Sequence, residues 1–289
     1  MTDSTEYRSK TLDVVGQCEG STQFEVNGSR LPFIQRGKLW PLASGVPEHG
    51  PLVRGVISSS TNRLLQCLLP SDRSRLAPYL GAARVNRGEI LGEFGDQPER
   101  IWFPETCVVA LVVAMSDGNV TTVGLIGNEG VVSGGITRQV VQVPGTARFL
   151  TSNAKQAALK ETPALEQLLL LHADALHGQV MQVAACNVLH SIEARLACFI
   201  LSVADRIWPH TSLSLTQDDM AHALGVQRCS VNATATALQR AGLITYRRGA
   251  MLIQKRANLE VIACECYSAV CYCYAKLLDL CSEAPSDRC

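Results

Sequence analysis

The 289 residues carry 26 Lys and Arg against 26 Asp and Glu, with 47% hydrophobic residues. That balance suits a globular protein of about two domains and excludes disordered and fibrous chains. The longest apolar runs, such as Val108 to Met115, fall well short of the ~18 residues a membrane helix needs, and no basic stretch precedes an apolar one at the N-terminus.

A cytoplasmic chain with no membrane partner is therefore expected, and its 12 cysteines are expected as reduced thiols in or near the core. The zero formal charge hides an asymmetry. Residues 209–258 hold six basic side chains (Arg228, Arg240, Arg247, Arg248, Lys255 and Arg256) against Asp218 and Asp219. A basic segment on an otherwise acidic chain points to a polyanionic partner such as nucleic acid.

Residues 1–58 are rich in Gly, Ser and Pro, show no sustained period, and read as a loosely ordered extension. From Thr61, Leu64, Leu65, Leu68, Leu69, Leu76 and Leu80 predict two short helices broken at Pro70-Ser71-Asp72. Between Ala83 and Leu150, short Val, Ile and Phe segments alternate with Gly-containing turns, the spacing of an antiparallel β-roll. Asp117-Gly118 predicts a tight two-residue hairpin turn, because Gly supplies positive φ at little cost.

The periodicity then switches. Pro163 suits a first helical turn, and Leu165, Leu169, His172, Leu176, Val180 and Val183 form one stripe, which can pack on the chain's own core or seam against a second copy. A further helix begins near Ser191, a plausible N-cap and hinge, and runs to Trp208-Pro209.

Residues 215–244 carry the most information. Thr216 and Asp219 make a capping box, Gly225 suits a tight interhelical turn, and a second helix runs to Gly242. This is helix-turn-helix grammar, with Arg228, Ser230 and Asn232 placed to read bases. Gln227 is a weak N-cap for that second helix. Two strands around Arg248-Gly249 read as a wing, so Thr216, Gln217, Arg247 and Arg248 are expected at phosphates, while Arg228 can bond bidentately to guanine.

The strings IWFPETCVVALVV, GLIGNEGVV, VVQVPGTAR, ACNVLHSIEARLA, the helix-turn-helix segment and AGLITYRRG, in this order, resemble the Crp/Fnr family of bacterial transcription regulators over roughly Asn62 to Tyr267. The resemblance implies an α+β chain: an antiparallel β-roll sensor of the cyclic-nucleotide-binding, jelly-roll type over 59–155, a dimerisation helix and hinge helix over 156–208, and a C-terminal winged helix-turn-helix over 209–262. Residues 263–289 form a Cys-rich helix and tail. It also implies a homodimer on palindromic double-stranded DNA, with RNA polymerase as a further partner.

The effector-pocket positions are Asn128, Glu129, Arg138, Val180 and Met181. Cyclic-AMP binders in the family place an Arg-Ser or Arg-Thr pair where this chain has Arg138-Gln139, and Thr-Ser where it has Val180-Met181. Without those hydroxyls a site built on their hydrogen bonds loses strongly, so no cofactor is assigned and an effector other than cyclic AMP is expected. In the recognition helix, a common base-reading Glu is replaced by Cys229 and a later Arg by Ala233.

Cys264, Cys266, Cys271 and Cys273 invite a thiol-based metal or redox sensor as the alternative function. Members of each pair seven apart lie about two turns distant on a helix, and C-x-C is not the C-x-x-C knuckle, so the pattern favours buried packing beside Tyr267, Tyr272 and Tyr274. His172, His177 and His190 likewise read as packing or solvent residues. No metal ligand set is assigned. No motif for nucleophilic catalysis, phosphate binding or a zinc hydrolase is present, so no enzymatic activity is expected.

Overall fold

The computed structural model describes residues 24–26, 29–31, 60–207, 212–247 and 249–282. Phe24–Val26 (β1) and Ser29–Leu31 (β2) pair antiparallel and belong to the first of the two units into which the chain divides. Strands of three residues are too short to leave a period in the sequence, which is why this stretch reads as unpatterned. The rest of residues 1–58, the Trp208-Pro209 boundary and Arg248 lie outside the described residues.

The second unit starts with the two short helices, Arg63–Gln66 (α1) and Pro70–Leu76 (α2). Asn62 caps α1, and its buried amide also donates to the carbonyls of Pro104 (2.8 Å) and Gly130 (2.9 Å), tying the entry of the domain to two roll loops. The roll follows as two antiparallel sheets. Gly81–Val85 (β3), Gly145–Thr151 (β9) and Arg100–Pro104 (β5) form one in the order β3-β9-β5. Ile90–Gly92 (β4), Arg138–Val143 (β8), Val108–Ala114 (β6) and Val120–Ile126 (β7) form the other in the order β4-β8-β6-β7.

Val109, Leu111, Ile126 and Val141 from the second sheet and Trp102 and Ala147 from the first fill a core between them. The β6–β7 hairpin is present, but its turn is longer than expected: Met115 N–H bonds to Asn119 O (2.8 Å), leaving Ser116-Asp117-Gly118 as a three-residue loop with Gly118 at φ 86°. Asp117 explains the extra residue. Its carboxylate accepts from the Asn119 backbone (2.9 Å) and side chain (2.8 Å), a local turn that also holds its pKa below the ordinary carboxylate value.

A helix absent from the sequence reading, Ser152–Glu161 (α3), precedes the long helix Pro163–Leu189 (α4). The stripe of α4 packs on the chain's own core: Leu165 and His172 are buried, and Leu169, Leu176, Val180 and Val183 half-buried. A different face stays open. Leu170, Ala173, His177, Met181, Ala184 and Val188 recur at heptad spacing, and Leu170, Met181 and Val188 are 65%, 63% and 82% exposed.

Ser191 caps the next helix, Ile192–Ile207 (α5), by accepting from Ala194 N–H at 3.3 Å. Leu196, Ile200 and Val203 on its apolar face share one core with Met220, Val231, Leu238 and Met251, so α5 packs with the C-terminal domain. That domain contains Ser212–Ser214 (β10), Gln217–Leu224 (α6), Arg228–Arg240 (α7), Ile244–Arg247 (β11) and Ala250–Ile253 (β12). Its sheet order is β10-β12-β11. Arg256–Ile262 (α8) and Glu265–Ser282 (α9) are the last described helices, with Tyr274 and Leu277 of α9 buried in the cluster that contains Leu165 and Leu168 of α4. No single described helix is long and apolar enough to cross a membrane.

Candidate nucleic-acid interface and sensor site

Thr216 caps α6 by accepting the Asp219 N–H (3.1 Å), and Asp219 returns the bond to the Thr216 backbone, completing the capping box. Gly225 follows at φ 60°, the left-handed conformation that lets the chain turn within three residues into α7. Gln227 makes no side-chain cap bond to α7, in keeping with its chemistry. Val231, Thr234, Ala235 and Leu238 face the core, while Arg228, Cys229, Asn232, Ala233 and Thr236 are exposed.

The named base-reading residues divide accordingly. Arg228 stands free enough to reach a groove, 65% exposed beside Asp218 at 3.3 Å. Asn232 is exposed, its side-chain oxygen accepting from Gln217 Nε2 at 2.9 Å. Ser230 is half-buried toward the core side, and its carbonyl accepts the Thr234 hydroxyl at 3.0 Å. At 3.6 residues per turn, Cys229 and Thr236 share the open face with Asn232 more closely than Ser230 does. Arg247 is exposed at the end of β11, where Gly249 at φ 77° turns the wing.

Thr216 has a second engagement. Arg87, in the β3–β4 turn of the roll, reaches the Thr216 hydroxyl (3.3 Å) and the Ser214 carbonyl (3.4 Å), and forms an ion pair with Asp219. Thr121 of β7 reaches the Ala223 carbonyl at 3.5 Å. The roll and the helix-turn-helix domain are thus docked on each other through α6.

The effector-pocket residues are used otherwise than expected. Glu129 is buried, and its carboxylate faces the Arg206 guanidinium of α5 at 2.7 Å, both side chains 7% exposed. Arg206 in turn donates to Gln179 of α4 (2.9 Å), whose amide donates to the Leu125 carbonyl (3.1 Å). Burial is the largest single influence and works against the guanidinium, but the Glu129 carboxylate together with Tyr274, Asp205 and Cys271 outweighs it and raises the Arg206 pKa above its ordinary value. A Cβ at Gly127 would strike the Arg206 stem, and one at Gly130 would strike His172 Nε2, so both glycines of the loop serve close approach.

His172 Nε2 accepts the Val131 N–H at 3.3 Å, fixing the neutral tautomer with its proton on Nδ1. Arg138 is held by Glu93 at 3.0 Å, Asn128 gives its carbonyl to Arg63 N–H (2.6 Å), Val180 is half-buried and Met181 points to solvent. None of the five lines the cavity that opens where β7, α4, α5, α6 and α9 meet, among Gly124, Gln182, Cys186, Arg195, Phe199 and Cys266. Arg195 closes the α6 side by donating to the Leu224 carbonyl, a cation at a helix C-terminus.

Residues 194–262 match the model of the Crp-like helix-turn-helix domain. The match begins inside α5, in agreement with the shared core. The chain carries a Crp-like helix-turn-helix domain on a Crp/Fnr fold.

Among solved structures, the chain is similar to FixK2 from Bradyrhizobium japonicum, at 14% identity and a TM-score of 0.56 over 64% of this chain and 98% of that one. It is similar to a CRP-family transcriptional regulator from Thermus thermophilus, at 18% identity and a TM-score of 0.52 over 63% and 96%. It is also similar to the c-di-GMP-responsive global regulator CLP of Xanthomonas campestris, at 11% identity and a TM-score of 0.50 over 63% and 98%. No curated protein matches the chain by sequence.

The reading of the C-terminal cysteines needs correction in one respect. Cys264 and Cys266 do lie close to other ligands, but these are Cys186 and His190 of α4 and the residue capping it, not Cys271 and Cys273. Sequence inspection missed them because the partners stand about 80 residues apart.

Proposed function

We propose that this Crp/Fnr-type chain is a cytoplasmic homodimer that reads palindromic double-stranded DNA with α7 and answers to an effector other than cyclic AMP. The observation that carries the reading is the open N-terminal face of α7 beside the wing, set by the capping box and Gly225. Arg228 reads a base, with Asn232, and Ser230 at the edge of that face. Arg247, and Arg248 beside it in sequence, meet phosphates. Thr216 and Gln217 lie near the backbone, committed in this docked state to Arg87 and Asn232. RNA polymerase is the partner such a bound dimer would contact.

The exposed heptad face of α4 supports the dimer, since two copies would cover Leu170, Met181 and Val188 against each other. Half-sites one helical turn apart, roughly 34 Å, then follow from twofold symmetry. Met181→Glu is expected to shift the chain from dimer to monomer in analytical ultracentrifugation; an unchanged dimer would place the interface elsewhere.

The effector reading rests on prior engagement: Glu129 by Arg206, Arg138 by Glu93, with Met181 facing outward. In the relative from Xanthomonas the same fold responds to c-di-GMP, so the roll is not tied to cyclic AMP. Effector binding near the cavity would shift the balance between the docked and released reading head.

Selection of genomic fragments by the full chain, with and without cyclic AMP, tests the reading. A palindromic site enriched equally in both is expected. Arg228→Ala should lose roughly 1 to 3 kcal/mol at one base position, whereas Arg247→Ala should weaken all sequences alike and reduce the salt slope by about one. Identical behaviour of the two variants would overturn the division between base reading and phosphate contact.

A further inference from the structure

The Sγ atoms of Cys186, Cys264 and Cys266 and a ring nitrogen of His190 all lie within 4.8 Å of one another. Cys186 Sγ stands 3.5 Å from Cys264 Sγ, and Cys266 Sγ 3.3 Å from His190 Nδ1. Four ligands around a tetrahedral zinc at bonds of about 2.3 Å to sulfur are separated by edges of about 3.8 Å, so this spacing is that of a ligand set with little rearrangement to make. The donors come as two pairs: Cys186 and His190 one turn apart at the end of α4, and Cys264 and Cys266 across the start of α9.

Two further contacts go beyond packing of small residues. Glu265, between the two cysteines, places a carboxylate oxygen 3.4 Å from His190 Nε2, a negative charge that favours the proton on Nε2 and the Nδ1 lone pair toward Cys266. Gln182 Nε2 donates to Cys266 Sγ at 3.1 Å, a hydrogen bond that favours the thiolate. Cys186 and Cys266 also line the cavity, which gives an entry path.

We infer that Cys186, His190, Cys264 and Cys266 form a binding site for one thiophilic divalent cation of the zinc class. Three sulfurs and one imidazole suit a borderline-soft, tetrahedral ion rather than an oxygen-seeking one. The ion displaces the thiol protons and staples the start of α9 to the end of α4, across the Ser191 junction where α5 leaves. The site does not depend on what the reading head binds.

Cobalt titration of the reduced full-length chain tests it. One Co²⁺ per chain is expected, with thiolate charge-transfer and tetrahedral ligand-field absorption that Zn²⁺ abolishes, and Zn²⁺ should raise Tm by mass action. Cys264→Ser/Cys266→Ser should lose these bands, and Cys271→Ser/Cys273→Ser should keep them. Glu265→Gln, a substitution at a 73% exposed side chain, leaves the four ligands in place and should weaken Zn²⁺ about 10- to 100-fold. Absence of tetrahedral Co²⁺ in the wild-type chain, or the same spectrum and affinity in Cys264→Ser/Cys266→Ser, would overturn the site. Full Zn²⁺ affinity in Glu265→Gln would overturn the role given to the carboxylate.

Discussion

Arg206→Met is expected to destabilise the chain by about 3 to 5 kcal/mol in urea unfolding, because it strands the Glu129 carboxylate in the interior. Glu129 keeps the Gly127 N–H at 3.1 Å, which is too little to replace a guanidinium at 2.7 Å. Glu129→Gln should cost a similar amount by stranding the Arg206 charge, although Gln179 and the Ser202 carbonyl, each at 2.9 Å, retain it in place. The double variant should lose less than the two singles together, by about 0.5 to 3 kcal/mol of coupling. Strictly additive losses would mean that the two groups do not act as a pair. The pair matters for function because it joins the roll loop at Glu129 to α5, which shares the core of the reading head.

Acidification should unfold the chain through His172. Burial first, and the nearby Arg206 charge, push its pKa down from the ordinary 6.5 to about 4, with Glu129 opposing them. The unfolded chain therefore takes up this proton before the folded one does, and stability rises with pH between about 4 and 6.5. The loss across that window on acidification amounts to about 3 kcal/mol from this residue. His172→Gln keeps an acceptor for the Val131 N–H and has nothing to protonate, so its urea midpoint should vary less between pH 7 and 4.5. An equal slope in wild type and variant would assign the acid sensitivity to other groups.

Much of this architecture is legible in the sequence where local chemistry decides. Thr216, Asp219 and Gly225 specify a cap and a turn with their own atoms, and the helix-turn-helix follows. The β6–β7 hairpin is likewise announced by Asp117-Gly118, though its loop length depends on how Asp117 bonds to Asn119. The long α4 is visible, but its apolar positions run nearly all the way round, and periodicity does not say which face meets the chain's own core. The open face is the one with Met181 and Val188.

What the sequence hides is pairing between distant segments. Glu129 looks like a ligand-binding carboxylate until Arg206, on a helix far along the chain, is seen against it. The cysteine cluster is hidden in the same way, for Cys264 and Cys266 read as a tail motif without Cys186 and His190. Ser230 is a smaller case of the same kind, since its half-buried place at the edge of α7 is set by which residues meet the core.

Arg87 spends its charge on Asp219, the residue that also completes the α6 capping box. One carboxylate therefore serves both the integrity of the helix-turn-helix and its docking on the roll. By thermodynamic reciprocity, a ligand that draws the Asn86-Arg87-Gly88 turn away from α6 must bind less tightly while the head is docked, by the same factor with which it favours release. On the proposed function, the operator would in turn be an effector of the roll: DNA that captured a released head would raise the affinity of the roll for its own ligand by that same factor.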